Sequence, residues 1–192
     1  LRCGYCGASD APRRECDTRE IKAGLKELYR LGGRWITFGG GEPLLRRDLG
    51  EMIVHAKSLG FQVFVSTNGH FVPDRIEDLR PVDNLNFSLD GPREIHDAVR
   101  GSGAFEDTLR AARVVREAGL PFSFQCVLAR HNLDCLEATL AIAREQGAWM
   151  MFQPATQWLD SSTAPNPLAP PVAEYRNAIA QLLQLKQAGA PV

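Results

Sequence analysis

No apolar run in the sequence approaches the roughly 18 residues that a membrane-spanning helix needs. No membrane span is expected. Neither sign of charge is in excess: 22 Lys and Arg face 23 Asp and Glu, for a formal net charge of -1. That balance gives no reason to expect nucleic acid or an anionic membrane as a partner. Low-complexity tracts are absent. The hydrophobic share of 44% and charged share of 23% exclude disordered and collagen-like chains. Cysteine is scarce, with five residues at irregular positions 3, 6, 16, 126 and 135. An odd, uneven set makes a poor disulfide framework, and 192 residues can hold a core without staples. A reducing, cytoplasmic setting fits best. An initiating Met, a signal peptide and a transit peptide are also lacking. The chain opens at Leu1 with a cysteine pair close behind, and ends just past a helix-like stretch at Gly189-Ala190-Pro191-Val192. It is expected to be a piece of a longer protein.

What is present alternates regularly. Strand-like runs rich in aromatic and branched residues are Trp35 to Phe38, Phe61 to Val65, Leu85 to Leu89, Phe122 to Leu128 and Trp149 to Phe152. They are mostly apolar, as strands buried on both faces should be. Between them lie helical stripes: Ile21/Leu25/Leu28/Leu31, Leu49/Met52/Ile53/Ala56, Phe105/Leu109/Ala112/Val115 and Leu133/Leu136/Leu140/Ala143. Val172/Tyr175/Ile179/Leu182/Leu183 forms a last stripe. Asp17 or Thr18 suits an N-cap with Glu20 in the first turn, and Gly32, Gly60, Gly119 and Gly147 fall where helices end. A helix followed by five βα units implies parallel strands joined by right-handed crossovers. Such a fold begins with a strand, so one strand is expected upstream of Leu1. Residues 1–192 read as one domain, with the Pro-rich stretch 161–171 as a long surface loop.

The polar and glycine-rich residues sit in phase with the strands. Each strand run is followed by such a cluster: Gly39-Gly40-Gly41-Glu42-Pro43, Ser66-Thr67-Asn68-Gly69, Ser88-Leu89-Asp90-Gly91, Arg130-His131-Asn132 and Gln153-Pro154-Ala155-Thr156-Gln157. In parallel α/β folds the C-terminal edge of the strands is where sites are built. Any one cluster is also ordinary turn chemistry. Five in phase point to one site.

The glycine cluster is no phosphate loop, since no Lys-Ser/Thr follows, and it lacks the GxGxxG spacing of dinucleotide folds. Its glycines let a ligand approach bare backbone, Glu42 adds a carboxylate suited to an ammonium group, and Pro43 fixes the exit. Cys3-Gly-Tyr-Cys6 is compatible with half of a zinc site or a redox pair. No second knuckle exists, although Cys16 could be a third ligand. Cys126 and Cys135 are expected to be packed thiols, and His131 a solvated loop residue.

Taken in order, these motifs resemble those of the radical S-adenosylmethionine (SAM) superfamily. Leu1-Arg2-Cys3-Gly4-Tyr5-Cys6 is similar to the tail of its C-x3-C-x2-C loop, with Tyr5 in the aromatic position and the first cysteine expected two places upstream of Leu1. Gly40-Gly41-Glu42-Pro43 matches its GGEP motif. Ser88-Leu89-Asp90-Gly91 and His96-Asp97-Ala98-Val99-Arg100-Gly101 resemble a branch of cofactor-maturing and peptide-modifying enzymes.

The resemblance spans Leu1 to about Pro154. It implies a parallel (β/α)6 partial TIM barrel, a [4Fe–4S] cluster on Cys3 and Cys6, and SAM as cosubstrate. It places the SAM amino group on Gly40, Gly41 and Glu42. Its ribose and carboxylate fall to Ser66, Asn68, Ser88 and Arg100, with Asp90 a further cofactor-binding candidate. Leu128 and Gln153 are assigned to the adenine and the floor of the site. A flavodoxin or ferredoxin is the implied electron donor; the sequence does not identify the substrate, for which the resemblance suggests a peptide or cofactor precursor. The alternatives are a zinc-binding module or an inactive α/β partner-binding domain.

Overall fold

A computed structural model describes residues 15–157 and 165–192. The cysteine loop and the stretch around Trp158 lie outside the described residues.

The first described element is helix α1 (Thr18–Arg30), started by a reciprocal capping box. The Asp17 carboxylate accepts from the Glu20 amide at 2.8 Å, and the Glu20 carboxylate accepts from the Asp17 amide at 2.9 Å. Five strands follow: β1 (Trp35–Phe38), β2 (Gln62–Thr67), β3 (Asn84–Ser88), β4 (Phe122–Leu128) and β5 (Trp149–Pro154). All neighbours pair in parallel, in the order β1-β2-β3-β4-β5. This sequential order is the expected open α/β barrel wall.

The crossovers hold α2 (Leu49–Leu59), α3 (Val72–Leu79), α4 (Arg93–Arg100) with α5 (Ala104–Glu117), and α6 (Leu136–Glu145), with α7 (Val172–Gln187) last. Two of these helices are not visible in the hydrophobic pattern. α3 has only eight residues, with proline in its first turn. α4 turns His96 and Arg100 inward rather than an apolar stripe.

The strands differ from the two-sided burial expected of them. Val63, Val65, Leu85, Phe87, Phe124, Cys126, Leu128 and Met150 face the helices and form the core with Leu49, Ile53, Ala112 and Leu140. Fully burying each larger aliphatic or aromatic side chain contributes about 1.5–3 kcal/mol. The other face is polar. Pairing registers place Ser66 beside Asn86, Asn86 beside Ser123, Ser88 beside Gln125 and Val127 beside Gln153. Asn84, Asn86 and Ser123 hydrogen-bond to one another there. Phe64, Trp35 and Trp149 share this concave face, and they hide the alternation from a purely hydrophobic reading. Trp35 and Trp149 are exposed.

Candidate active site

The glycine-rich turn after β1 is built around one carboxylate. Pro43 opens a 3₁₀ turn, Pro43–Leu45, and Glu42 caps it through its side chain. Glu42 Oε1 accepts from the Leu44 amide at 3.2 Å and from the Thr67 hydroxyl at 2.8 Å, and Oε2 accepts from the Asn68 amide at 2.9 Å. One of these bonds caps its own turn, and the other two lock the β1 loop onto the β2 loop. Thr67 in turn accepts the Gly69 amide at 3.1 Å, and Asn68 Oδ1 accepts the His70 amide at 2.9 Å. Gly40 sits at φ +122°, a conformation that side chains rarely adopt. Among the described residues, a Cβ on Gly40 or Gly41 would meet nothing within 4 Å, and one on Gly39 would lie 3.8 Å from the Ser66 Cβ. Next to Ser66 the turn therefore presents bare backbone that no other described residue crowds.

A second centre joins β3 to β4. Asp90 is fully buried and Arg100 nearly so, with Nε donating to Asp90 Oδ2 at 2.6 Å. Asp90 Oδ1 accepts the Val127 amide at 3.0 Å, and its carbonyl accepts from Asn132 Nδ2 at 2.9 Å. The Asp90 amide donates to His96 Nδ1 at 3.1 Å, which makes that nitrogen an acceptor and the ring neutral. Burial, reinforced by the Arg100 charge, pushes His96 down to about 4. Thr67, His96 and Asn132 thus belong to the scaffold of this edge. Sequence reasoning could have flagged His96 only through its place beside Arg100.

Of the residues singled out in the sequence, Glu42 and Asn68 meet directly, Asp90 and Arg100 meet directly, and Ser66 lies against Gly39. Ser88 and Gln153 share the polar concave face with Ser66, as the registers require. Leu128 does not join them. Its side chain alternates with Cys126 and Phe124 into the core under the helices, while its carbonyl accepts from the Ala155 amide and the Tyr175 hydroxyl. Cys3, Tyr5 and Cys6 lie outside the described residues. Cys126 is buried, and burial holds its thiol well above the ordinary range; Cys135 is half-buried and donates toward the Asn132 carbonyl. His131, expected in solvent, is half-buried, and burial lowers its pKa. Among the described residues, no group of three or more His, Cys, Asp and Glu could hold a metal ion, and no helix is long and apolar enough to cross a membrane.

An AdoMet-dependent heme synthase of Methanosarcina barkeri is 36% identical over 156 residues, which are 77% of this chain and 45% of that protein. The mycofactocin maturase MftC of Mycolicibacterium smegmatis is 35% identical over 155 residues, covering 77% of this chain and 40% of that one. The chain thus spans less than half the length of these curated relatives. Streptococcus suis SuiB, solved with its precursor peptide SuiA, superposes with a TM-score of 0.82 over 99% of this chain and 44% of its own, at 14% identity. That likeness shows the partial-barrel fold. The sequence profile of the radical SAM superfamily matches residues 1–143. With three-quarters of the chain under that profile and its glycine turn at the strand edge, this chain belongs to the radical SAM superfamily.

Proposed function

We propose that this chain is the SAM-binding half-barrel of an enzyme that initiates radical chemistry on a peptide or cofactor precursor. The observation that carries the reading is the Gly39–Glu42 turn, held open at the strand edge by Glu42. The family uses a [4Fe–4S] cluster and SAM. When bound, the cluster supplies the electron that splits SAM into methionine and a 5′-deoxyadenosyl radical.

The residues present fit SAM. Gly40 and Gly41 leave room for its ammonium group against backbone carbonyls, beside the negative charge of Glu42. Arg100, oriented by Asp90, would take its carboxylate, and Ser66, Asn68 and Ser88 its remaining polar groups. Gln153 would close the floor. Leu128 drops out of the proposal because its side chain lies in the core. Cys3 and Cys6 would hold the cluster, with Tyr5 beside it. A flavodoxin or ferredoxin would supply the electron. The peptide or cofactor-precursor class of substrate is supported by the names of the heme synthase and the mycofactocin maturase and by the SuiB–SuiA complex. A zinc-binding or inactive partner-binding module is disfavoured by that company.

The test uses the full-length protein, reconstituted anaerobically and reduced with dithionite. Methionine and 5′-deoxyadenosine should accumulate in equal amounts, and Cys6→Ala should abolish both. Turnover that survives loss of Cys6 refutes the mechanism. Glu42→Ala should weaken SAM binding about tenfold, equivalent to one charge-assisted contact, while iron and sulfide content stay constant. Unchanged affinity would rule out the amino-group site.

A further inference from the structure

Behind the glycine turn lies a charged clamp that belongs to neither strand edge nor core. Helix α3 departs from helical geometry at Arg75, where φ is -123° and ψ is 16°. The departure carries the Arg75 side chain onto the far side of the Pro43–Leu45 turn. Its Nη1 donates to the carbonyls of Leu44 at 2.8 Å and Arg46 at 3.3 Å, and its Nη2 to those of Arg46 at 3.3 Å and Arg47 at 3.4 Å. Its Nε donates to Asp78 Oδ2 at 2.5 Å. One guanidinium therefore gathers three carbonyls of the short turn and its exit, those of Leu44, Arg46 and Arg47, of which the Arg46 carbonyl also accepts from the Leu49 amide at 3.3 Å. Asp78 sits against Gly50 in the first turn of α2, where a Cβ would come within 2.6 Å of its Oδ1. The absence of a side chain at Gly50 is what lets Asp78 reach Arg75.

The links run in series. Gly50 admits Asp78, Asp78 orients Arg75, Arg75 grips the carbonyl of Leu44, and the amide of Leu44 binds Glu42 Oε1. Glu42 sets the glycine turn. We propose that Arg75 is a positioning residue for the SAM amino-group site, acting through the Leu44–Arg47 backbone without touching the cosubstrate. The inference rests on the assignment of the glycine turn to SAM. Only an arginine satisfies this geometry, because a lysine ammonium cannot fork across three carbonyls and a carboxylate at once.

The full-length, cluster-loaded protein is assayed for SAM cleavage with dithionite, alongside iron content and thermal midpoint. Arg75→Met is expected to raise KM for SAM about tenfold with kcat and iron content unchanged, the pattern of lost uniform binding. Arg75→Lys is expected to recover part of that loss. Gly50→Ala, remote from the cosubstrate, is expected to raise KM in the same direction by displacing Asp78. Normal KM in Arg75→Met, with KM raised in Glu42→Ala, overturns the clamp and leaves the SAM site standing. Normal KM in both overturns the assignment of the turn itself. Should Arg75→Met unfold, Gly50→Ala decides: a raised KM with a thermal midpoint near wild type upholds the clamp, and an unchanged KM overturns it.

Discussion

Replacing Asp90 by alanine should be among the most damaging single changes in the chain. The carboxylate is completely buried and serves two donors from different elements, Arg100 Nε at 2.6 Å and the Val127 amide at 3.0 Å. Truncation leaves a nearly buried guanidinium without its carboxylate and a β4 amide without its acceptor. Breaking a buried pair from one side costs about 3–5 kcal/mol. In a chain of this size that lowers the thermal midpoint by about 10 °C. Asp90→Asn should not rescue it fully, because one of the two donors would then face an amide NH2. Thermal and urea unfolding of wild type, Asp90→Ala, Arg100→Met and the double variant form a cycle. The double variant should be more stable than the sum of the single losses predicts, with a coupling of about 2 kcal/mol. Additive losses, or an Asp90→Ala loss below about 1 kcal/mol, would show that the buried pair does not stabilise the fold.

Acid should weaken the fold through His96. Its folded value near 4 lies below the ordinary 6.5, so between these the unfolded chain binds a proton that the folded chain refuses. Stability is complete above pH 6.5 and falls as pH drops toward 4, by about 3 kcal/mol in all; urea midpoints across that range should show the slope, and His96→Gln should flatten it. His131, also lowered by burial, would leave a residual slope in the same sense. Gly69→Ala should cost about 2 kcal/mol, because the residue sits at φ +86° and a Cβ would lie 3.0 Å from Ala111 Cβ and 3.2 Å from Thr108 Cα. The same variant should raise KM for SAM by shifting Asn68, which a cleavage assay would register beside the melting curve.

The sequence shows the strands readily because Trp35, Phe64, Phe87 and Phe124 are strong strand formers whatever face they occupy. For that reason it hides which face is which, and the polar wall of Ser66, Asn86, Ser88 and Ser123 emerges only from the registers. Strand ends shift for a related cause: Phe61 packs in the core just ahead of β2, so its apolarity reads as strand. Helix α4 escapes a hydrophobic reading because its inward residues, His96 and Arg100, are polar. The site clusters are legible one at a time, since turn chemistry is local. Their connections are not. Nothing near Glu42 in the chain announces that its carboxylate is spent on Thr67 and Asn68, 25 and 26 positions away.

Those connections explain how an open barrel wall can hold a site drawn from several loops. Ladder hydrogen bonds fix the strands but stop where the strands end, and a site needs its groups placed within a fraction of an ångström. Each neighbouring pair of strand ends carries its own side-chain brace. Glu42 ties the β1 loop to Thr67 and Asn68 beyond β2. The Thr108 hydroxyl lies 3.3 Å from the carbonyls of both Asn68 and Ser88, spanning β2 and β3. Asp90 reaches from β3 to the Val127 amide on β4. The Tyr175 hydroxyl donates to the carbonyls of Leu128 at 3.3 Å and Ala155 at 3.0 Å, spanning β4 and β5. The braces sit at the strand ends: Glu42 is half-buried, Thr108 and Asp90 are buried, and Tyr175 packs in the core itself. Removing the Glu42 brace should therefore loosen the loops while the helices and ladder persist, whereas Asp90, both brace and buried charge, and Tyr175, both brace and core residue, couple the two. Fold and site are stabilised by separate contacts where β1 meets β2, and they share buried residues from β2 to β5.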